Sequence, residues 1–377
     1  MDLNKKIELV KQINDNINNS ISKVWPDFKP FPFILHEEDE YILVSSKPFN
    51  GFSLLEENIW IKNERDVELI SNTAKVYQGE TIALWGVDTW LENTTLSQMS
   101  ACIAHEMFHA FQDNFSWPYA REVFQPSYPH SPASVALIIE ENRELIKILK
   151  NHNVYECLEK IINLRKLRES IVGKGFFAYD KGVETGEGTA AYVEIQLEAV
   201  LDNKTPLSVA LASQYLSFVE DTDNLLNNYR RRLYSSGLIL CLSLDIIAPN
   251  WQNEWAQSVL TIFDFVEKKI NINTDLFTAR NIVKNFESKK QEKISKFMNQ
   301  ELIRLKGDIQ FVGFDPMNIT CVGEYCLHKQ CPFKFKETVY ILKKPLVKYG
   351  ENITDIKEIL IPKEFMLEEV NDYVIHN

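Results

Sequence analysis

The hydrophobic pattern changes its period twice along the chain, and this change constrains the fold more than any other feature of the sequence. From Phe31 to Trp90, short runs of aromatic and β-branched residues alternate with glycine and polar clusters, which indicates a small sheet. From about Thr95 to Leu305, apolar residues recur at spacings of three and four, which indicates helices. After Gly307 the pattern returns to short β-like runs. We therefore expect an α+β fold in which a mostly helical body is flanked by two β-rich regions.

These changes of pattern divide the chain into three expected regions. Residues 1–94 form an N-terminal helix plus an antiparallel or mixed sheet, residues 95–305 a helical body, and residues 306–377 a small C-terminal β-rich module. In the first region we expect strands at 41–45, 58–61 and 81–85, and one helix at about 66–77. In the body we expect helical segments near 95–113, 134–150, 154–171, 183–201, 206–247, 253–268 and 276–305.

Charge, apolar runs and cysteines together indicate a soluble cytoplasmic protein. The net charge of −12 is spread along the chain, which argues against nucleic acid or an anionic membrane surface as the main partner. The N-terminus has the pattern of a polar amphipathic helix and lacks the apolar core of a secretion signal. The longest apolar stretch, Leu238–Ile247, is well short of the ~20 residues that cross a bilayer. Six cysteines at irregular spacings fit reduced thiols better than a disulfide framework.

The first helix of the body carries a His-Glu-x-x-His motif. Thr95 and Gln98 form a capping box at its start, and the apolar spacing that follows buries one face of the helix. His105 and His109 are about one helical turn apart, so both imidazoles project from the same face and can bind one tetrahedral zinc ion. Glu106 lies beside them, where it can take a proton from a metal-bound water as general base. Two histidines with only structural polar contacts are the weaker interpretation, because chance matches to this motif are rare.

A catalytic zinc site usually has a third protein ligand, and a downstream carboxylate is the best candidate. Glu187 begins the segment Glu-Gly-Thr-Ala-Ala-Tyr, whose small residues at the expected start of a helix allow its backbone to approach the zinc helix closely. Glu184 is the rival ligand, and the alternative role for Glu187 is that of a solvated acid at a helix start. Glu194 lies about two turns after Glu187 on the same face, where it can hydrogen-bond a ligand imidazole.

Three short segments resemble the gluzincin zinc metallopeptidases, in particular the aminopeptidase and leukotriene-hydrolase group. They are residues 104–112, 186–194 and 234–240. The resemblance implies that the glutamate beginning Glu-Gly, Glu187 here, binds zinc. It also implies that Tyr234 of Tyr-Ser-Ser-Gly donates its hydroxyl to the tetrahedral oxyanion, a task that suits a phenol near a metal. The chain is not a close member of that group, because it lacks the short separation between the second histidine and the glutamate and the Gly-x-Met-Glu-Asn segment.

These motifs predict a zinc-dependent metallopeptidase with a zincin-like fold. Zinc, held by His105, His109 and Glu187, lowers the pKa of its water, and Glu106 removes the proton and later protonates the leaving amine, while Tyr234 stabilises the oxyanion. The expected substrate is a peptide or protein whose extended backbone pairs with an edge strand of the N-terminal sheet. Two alternatives stay open: a zinc hydrolase of a non-peptide amide or an epoxide, and a binding scaffold without catalysis. The sequence leaves the substrate sequence, exo- or endopeptidase cleavage and the oligomeric state open.

A second cluster of metal-binding residue types lies in the C-terminal module. Cys321, Cys326, His328 and Cys331 are close in sequence, but their spacing matches neither a paired Cys-x-x-Cys knuckle nor a zinc finger. We expect these cysteines to serve as small apolar strand residues rather than to bind a second metal ion.

Overall fold

The computed structural model shows an α+β protein in which a mixed sheet, a helical body and smaller sheets follow one another along the chain. It describes residues 3–89, 93–115, 132–221, 225, 228–270, 276–307, 309–311, 319–322, 325–328, 332–336, 338–341, 345–349, 356–363 and 368–369. The α+β class expected from the sequence pattern is confirmed.

The N-terminal region consists of one helix and a six-stranded mixed sheet. Helix α1 (Leu3–Ser20) precedes strands β1 (Phe33–Glu37), β2 (Glu40–Val44), β3 (Ser53–Glu56), β4 (Ile59–Lys62), β5 (Thr73–Tyr77) and β6 (Glu80–Gly86). The order in the sheet is β3-β4-β2-β1-β6-β5, with β1 and β6 parallel and the other pairs antiparallel. Within the described part of the chain, β5 is therefore the strand at one edge of this sheet.

Each face of the N-terminal sheet carries its own set of buried apolar side chains. Phe33 and Leu35 of β1 belong to the main core, which also contains Ile13 of α1 and the apolar faces of the body helices. Ile34, between them in sequence, packs with Tyr41 in a smaller cluster on the opposite face. This alternation follows from the two-residue period of a strand. The main core is continuous from α1 through the sheet into the helices, and this continuity fixes the sheet against the helical body.

The prediction of a helix at about 66–77 is wrong. Asp66 caps a single 3₁₀ turn at Val67–Leu69, and β5 follows instead of further helix. Gln78 and Gly79, with φ of 50° and 85°, form the two-residue turn between β5 and β6. A turn with two positive φ values matches the twist of an antiparallel hairpin, so the Gln-Gly pair marks a hairpin rather than the end of a helix.

The helices of the body make up about half of the described residues. They are α2 (Leu96–Gln112), α3 (Pro132–Leu149), α4 (Val154–Val172), α5 (Lys174–Asp202), α6 (Pro206–Ala212), α7 (Gln214–Glu220), α8 (Tyr229–Ile247), α9 (Trp251–Ala256), α10 (Ile262–Ile270) and α11 (Leu276–Met298). Helix α2 has the expected capping box between Thr95 and Gln98. In the described part of the chain, no helix has both the length and the apolar character needed to cross a bilayer.

Four of the expected helical segments have different bounds in the structure. The segment expected at 253–268 is two helices, α9 and α10, and the one expected at 276–305 ends at Met298, with a strand at Leu302–Lys306 in place of its last residues. Helix α5 begins at Lys174 rather than near 183, so Glu187 lies inside the helix and not at its start. The segment expected at 206–247 is three helices, because the Ser213 side chain caps α7 and α7 ends at Glu220.

Two small sheets make up the described C-terminal part. Their strands are β7 (Leu302–Lys306), β8 (Ile309–Phe311), β9 (Ile319–Val322), β10 (Tyr325–His328), β11 (Pro332–Phe335), β12 (Thr338–Ile341), β13 (Leu346–Tyr349), β14 (Ile356–Pro362) and β15 (Glu368–Glu369). One sheet has the order β7-β14-β13-β10-β9 and the other β15-β12-β11-β8. Cys321 and Cys326 lie opposite each other in the β9–β10 register, whereas Cys331 lies outside the described residues.

Candidate metal centre

Three side chains from two packed helices converge on one point. Helix α2 packs against α5 and contributes His105 and His109, and α5 contributes Glu187. Nε2 of His109 lies 3.3 Å and Nε2 of His105 lies 3.8 Å from Oε2 of Glu187. One ligand atom from each of the three residues lies within 4.8 Å of the others. Because tetrahedral bonds of about 2.0–2.2 Å place donor atoms roughly 3.3–3.6 Å apart, this group can hold a metal ion.

The three side chains lie on the wall of a cleft with a volume of about 710 Å³. Its sheet side consists of residues 72–76, which include most of β5, and of Thr81 on β6. Its helical side includes Glu106, Gln112 and Tyr234 in addition to the three converging residues. The cleft therefore runs between the edge strand of the sheet and the helices that carry His105, His109 and Glu187, the candidate metal-binding group.

His105 is held by the ring nitrogen that faces away from Glu187. Its Nδ1 lies 2.9 Å from Oε2 of Glu194, the contact that the sequence spacing predicts. Tyr215 donates its hydroxyl to the same oxygen over 2.6 Å. Because a carboxylate oxygen accepts, the proton of this hydrogen bond is on Nδ1 of His105, and Nε2 is the nitrogen that is directed toward Glu187.

His109 is held in the same way by Gln112, one turn further along α2. The amide nitrogen of Gln112 donates to the carbonyl of Gly186 over 2.7 Å and to Oγ1 of Thr189 over 2.8 Å. A carbonyl can only accept, and the Thr189 hydroxyl donates to the carbonyl of Thr185, so the amide nitrogen must point this way. The amide oxygen of Gln112 then faces Nδ1 of His109 at 2.9 Å and requires a proton there. Nε2 of His109 is left for a metal ion.

The charges of the site favour a bound cation. Burial alone would lower the pKa of His105, but hydrogen bonds to Glu187 and Glu194, together with the charges of Glu194 and Glu106, outweigh burial and raise the pKa to about 10. Burial would also lower the pKa of His109, but the hydrogen bond and charge of Glu187 outweigh burial and raise it. Burial would raise the pKa of Glu187, but the two histidines hold it well below its usual range. Carboxylates that stabilise a proton on the imidazoles also stabilise a metal ion in its place.

Glu106 is a buried carboxylate beside the metal-binding group. It follows His105 on α2 and lines the same cleft. Burial raises the pKa of Glu106, although the charges of His105 and His109 partly offset this effect. A carboxylate with a raised pKa is a stronger base, which suits proton transfer near neutral pH.

Helix α8 brings two further groups to the site. Tyr234 lines the cleft, and burial, followed by the charge of Glu187, raises the pKa of its phenol, which therefore stays protonated well above neutral pH. Arg230, four residues earlier on the same face, donates from Nη2 to Oε1 of Glu187 over 2.8 Å. The guanidinium carbon of Arg230 also lies 5.7 Å from the centre of the Tyr234 ring.

Glu184, the rival ligand in the sequence, is engaged elsewhere. Its two oxygens accept hydrogen bonds from Arg165 over 2.6 and 2.7 Å, and Oε1 also accepts from Ser236. The side chain is fully buried among these partners. Of the two carboxylates, Glu187 is the one beside the imidazoles.

The glycine after Glu187 makes a different contact from the one that the sequence suggests. A Cβ atom at Gly188 would lie 2.5 Å from Cα of Gly237 on α8, so this glycine allows α5 to approach α8 rather than α2. Beside Glu187, α5 is linked to α2 by the hydrogen bond from Gln112 to the carbonyl of Gly186. The small residues near Glu187 therefore position the helix of Tyr234 as well as Glu187 itself.

Three contacts of the site are not among the sequence expectations, and they involve Gln112, Arg230 and Tyr215. Gln112 lies three residues after His109 and Arg230 four residues before Tyr234, and each spacing places the pair on one helix face. This spacing was the available signal for both residues. Tyr215 lies on α7 and Glu194 on α5, so the two residues share no helix face and no local sequence pattern indicates their contact.

Comparisons of the chain with models of known protein families, with curated proteins and with solved structures found no match. The chemistry of the site is therefore inferred from its own residues. These are two imidazoles and a carboxylate that can hold a metal ion, a buried carboxylate beside them, and a phenol in the same cleft.

Proposed function

We propose that the chain is a zinc-dependent metallopeptidase of the gluzincin type with a zincin-like fold. The convergence of His105, His109 and Glu187 on the wall of a cleft, with Glu106 beside them, is the observation that carries this proposal. Two nitrogen donors and one oxygen donor form a ligand set that suits zinc and leaves a fourth position open. Zinc supplies Lewis acidity, which lowers the pKa of water and polarises a carbonyl group.

The protein's own side chains carry the proton transfers and stabilise charge. Glu106 accepts a proton from the attacking water and passes it to the leaving amine nitrogen, and its raised pKa suits both steps. Tyr234 donates its hydroxyl to the substrate oxygen as that oxygen becomes negative. Glu194 and Gln112 hold the two imidazoles through Nδ1, which fixes the orientation of each ring.

The edge strand β5 supports a peptide as the substrate. Four of its residues, Thr73 to Val76, line the cleft beside the metal-binding group. In the described part of the chain β5 has a neighbouring strand, β6, on one side only, so the backbone groups of its outer edge can pair with an extended peptide. Such pairing would lay the peptide along the cleft past Glu106.

Metal analysis and a peptide-library assay on the purified protein test the proposal. Wild-type protein should hold one zinc ion per chain and cleave peptides. His105→Ala and His109→Ala should lose zinc, whereas Glu106→Gln should keep zinc and lose most turnover, because Glu106 transfers protons and is not a ligand. His152→Ala is the matched control, since His152 is exposed in the turn after α3, and it should change neither property.

The same measurements separate the alternatives. Wild-type protein without zinc would refute the proposal and favour a binding scaffold. Zinc without peptide cleavage would favour a hydrolase of a non-peptide amide or an epoxide. Glu106→Gln protein that turns over substrate at the wild-type rate would refute the role given to Glu106.

A further inference from the structure

The two oxygens of Glu187 have different neighbours. Oε2 faces the imidazoles, 3.3 Å from Nε2 of His109 and 3.8 Å from Nε2 of His105. Oε1 accepts a hydrogen bond from Nη2 of Arg230 over 2.8 Å. The carboxylate is buried, with 8% of the residue exposed, whereas the Arg230 side chain is partly exposed, so this charge-assisted hydrogen bond is screened less than one between two surface groups. Arg230 therefore holds one oxygen away from the point that the imidazoles share.

Arg230 is itself held by residues of two helices. Its Nη1 donates to the hydroxyl of Tyr179 on α5 over 3.4 Å, and its guanidinium carbon lies over the ring of Tyr234 on α8. A planar guanidinium can donate in two directions and lie over an aromatic ring at the same time. A lysine ammonium is a point charge and cannot reproduce this combination. The residue type at 230 thus matches the geometry of the contact.

Two further arginines, Arg231 and Arg232, follow Arg230 directly in the sequence, and they make other contacts. Arg231 is exposed, and its guanidinium carbon lies 5.7 Å from the centre of the Phe218 ring. Arg232 is fully buried and contacts Glu141 and Asn142. Arg230 is the one of the three that contacts a residue of the metal-binding group, through its Nη2.

We propose that Arg230 is a positioning residue that presents Glu187 to the metal ion through one oxygen only. This inference rests on the metal site proposed above. A carboxylate can bind a metal ion through one oxygen or both, and a second bound oxygen would fill the position that a catalytic site keeps open. By holding Oε1, Arg230 keeps that position available and fixes the plane of the carboxylate.

Cobalt(II) bound in place of zinc reports the number of ligands, because its visible absorption weakens as the coordination number rises above four. Wild-type protein should bind Co²⁺ with strong visible absorption. Arg230→Met should keep Co²⁺ but lose absorption intensity, since both oxygens of Glu187 become available. Arg230→Lys keeps a charged donor and should lose less. Arg231→Met is the matched control on the same helix, and its spectrum should equal that of the wild type.

Melting curves of the metal-free variants establish which of them fold, and Arg230→Gln replaces Arg230→Met if the methionine variant does not. If these variants bind Co²⁺ with the wild-type spectrum, Arg230 has no positioning role, although the metal site stands. An equal loss of absorption in Arg231→Met would also overturn the proposal, because it would show a general sensitivity of α8. Wild-type protein that binds neither Co²⁺ nor Zn²⁺ would overturn the metal site itself.

Discussion

The orientation of His109 depends on a single amide side chain. Leucine in place of Gln112 would have a similar size, but it could not accept from Nδ1 of His109 or donate to Gly186 and Thr189. The imidazole would then be free to rotate and to change its protonated nitrogen. We expect Gln112→Leu to weaken zinc binding by about 10- to 100-fold, measured by competition with a chromogenic chelator.

Gln98→Leu is the matched control for this prediction. It is the same substitution on α2, but at the capping box at the other end of the helix. It should lower the melting temperature slightly through the lost cap and leave zinc affinity unchanged. Equal zinc affinity in Gln112→Leu and wild-type protein would show that His109 does not need Gln112 for its orientation.

In the proposed reaction, Tyr234 would donate its hydroxyl to the charge that develops on the substrate oxygen. Its phenol lies in the cleft and carries its proton at neutral pH, since its pKa is raised above an ordinary value that is already near 10. If the hydroxyl contacts the substrate oxygen only in the transition state, Tyr234→Phe should lower kcat by about 10- to 1000-fold and leave KM nearly unchanged. Steady-state kinetics, with zinc analysis and a melting curve on the same preparation, measure this. A kcat equal to that of the wild type would make Tyr234 a packing residue.

Local and distant contacts of the site differ in how well the sequence predicts them. His105 and His109 lie side by side because four residues make about one helical turn, and this needs no tertiary information. The contact of α2 with Glu187 joins helices far apart in sequence, so no periodic pattern records it. The choice between Glu184 and Glu187 depends on Arg165, which binds Glu184, and that partner cannot be identified from spacing.

At the scale of single elements, β5 shows why short segments are hard to assign. Val67, Ile70, Ala74 and Tyr77 lie at spacings of three and four, which is the pattern of an amphipathic helix. Pairing with β6 decides the outcome, because the Gln-Gly turn after Tyr77 returns the chain antiparallel to itself. The misassigned segment is the one that forms the sheet side of the cleft, so the position of the cleft wall could not be derived from local periodicity.

Helices α5 and α8 cross at two glycines, Gly188 and Gly237, and we expect their close approach to need both. A Cβ atom at Gly237 would lie 2.2 Å from the carbonyl oxygen of Glu184 and 2.8 Å from Cα of Gly188. Both neighbours are backbone atoms, so the helices would have to separate. We expect Gly237→Ala to lower the free energy of unfolding by about 1–3 kcal/mol, measured by urea unfolding. It should also weaken zinc binding, because Arg230 and Glu187 lie on the two helices that separate.

Gly175→Ala serves as the control for this crossing. Gly175 also lies in α5, but a Cβ atom there would meet nothing within 4 Å. Alanine is favoured over glycine inside a helix by about 0.5–1 kcal/mol, so this variant should be at least as stable as the wild type. If Gly237→Ala is equally stable, the close approach of α5 and α8 is not needed for the fold.

Across the whole molecule, a buried network of six charged side chains joins the helices behind the metal-binding group. It consists of three acids and three arginines: Glu141, Asp180, Glu184, Arg165, Arg168 and Arg232. These residues belong to α3, α4, α5 and α8, and the last two helices carry Glu187, Arg230 and Tyr234. The order of sheet, helices and sheets along the chain can be predicted from the sequence, because it depends on local hydrophobic periods. The ion-pair network cannot be predicted in this way, because each of its ion pairs joins residues from different helices.

Glu141 is the centre of the network, so its replacement tests how much the network contributes to stability. It contacts all three arginines, and every partner is buried. Glu141→Gln removes one negative charge and leaves three buried guanidinium groups with two carboxylates. Breaking a buried ion pair from one side costs about 3–5 kcal/mol, so we expect a loss of this size in urea unfolding at neutral pH. Glu156→Gln, which removes the exposed partner of Lys160, is the control and should change stability little.

The pH dependence of this loss tests whether the charge of Glu141 is responsible for it. Burial alone would raise the pKa of Glu141, but the charges of Arg165, Arg232 and Arg168 outweigh burial and hold the pKa well below its usual range. The stability that the carboxylate contributes is therefore fully present above its ordinary pKa of about 4.3 and is lost as the pH falls through the depressed value. The difference between wild type and Glu141→Gln should be constant between about pH 6 and 8 and shrink below about pH 4. A difference that grows in acid would mean that the folded protein binds more protons at Glu141 than the unfolded chain does, which this network of arginines does not allow.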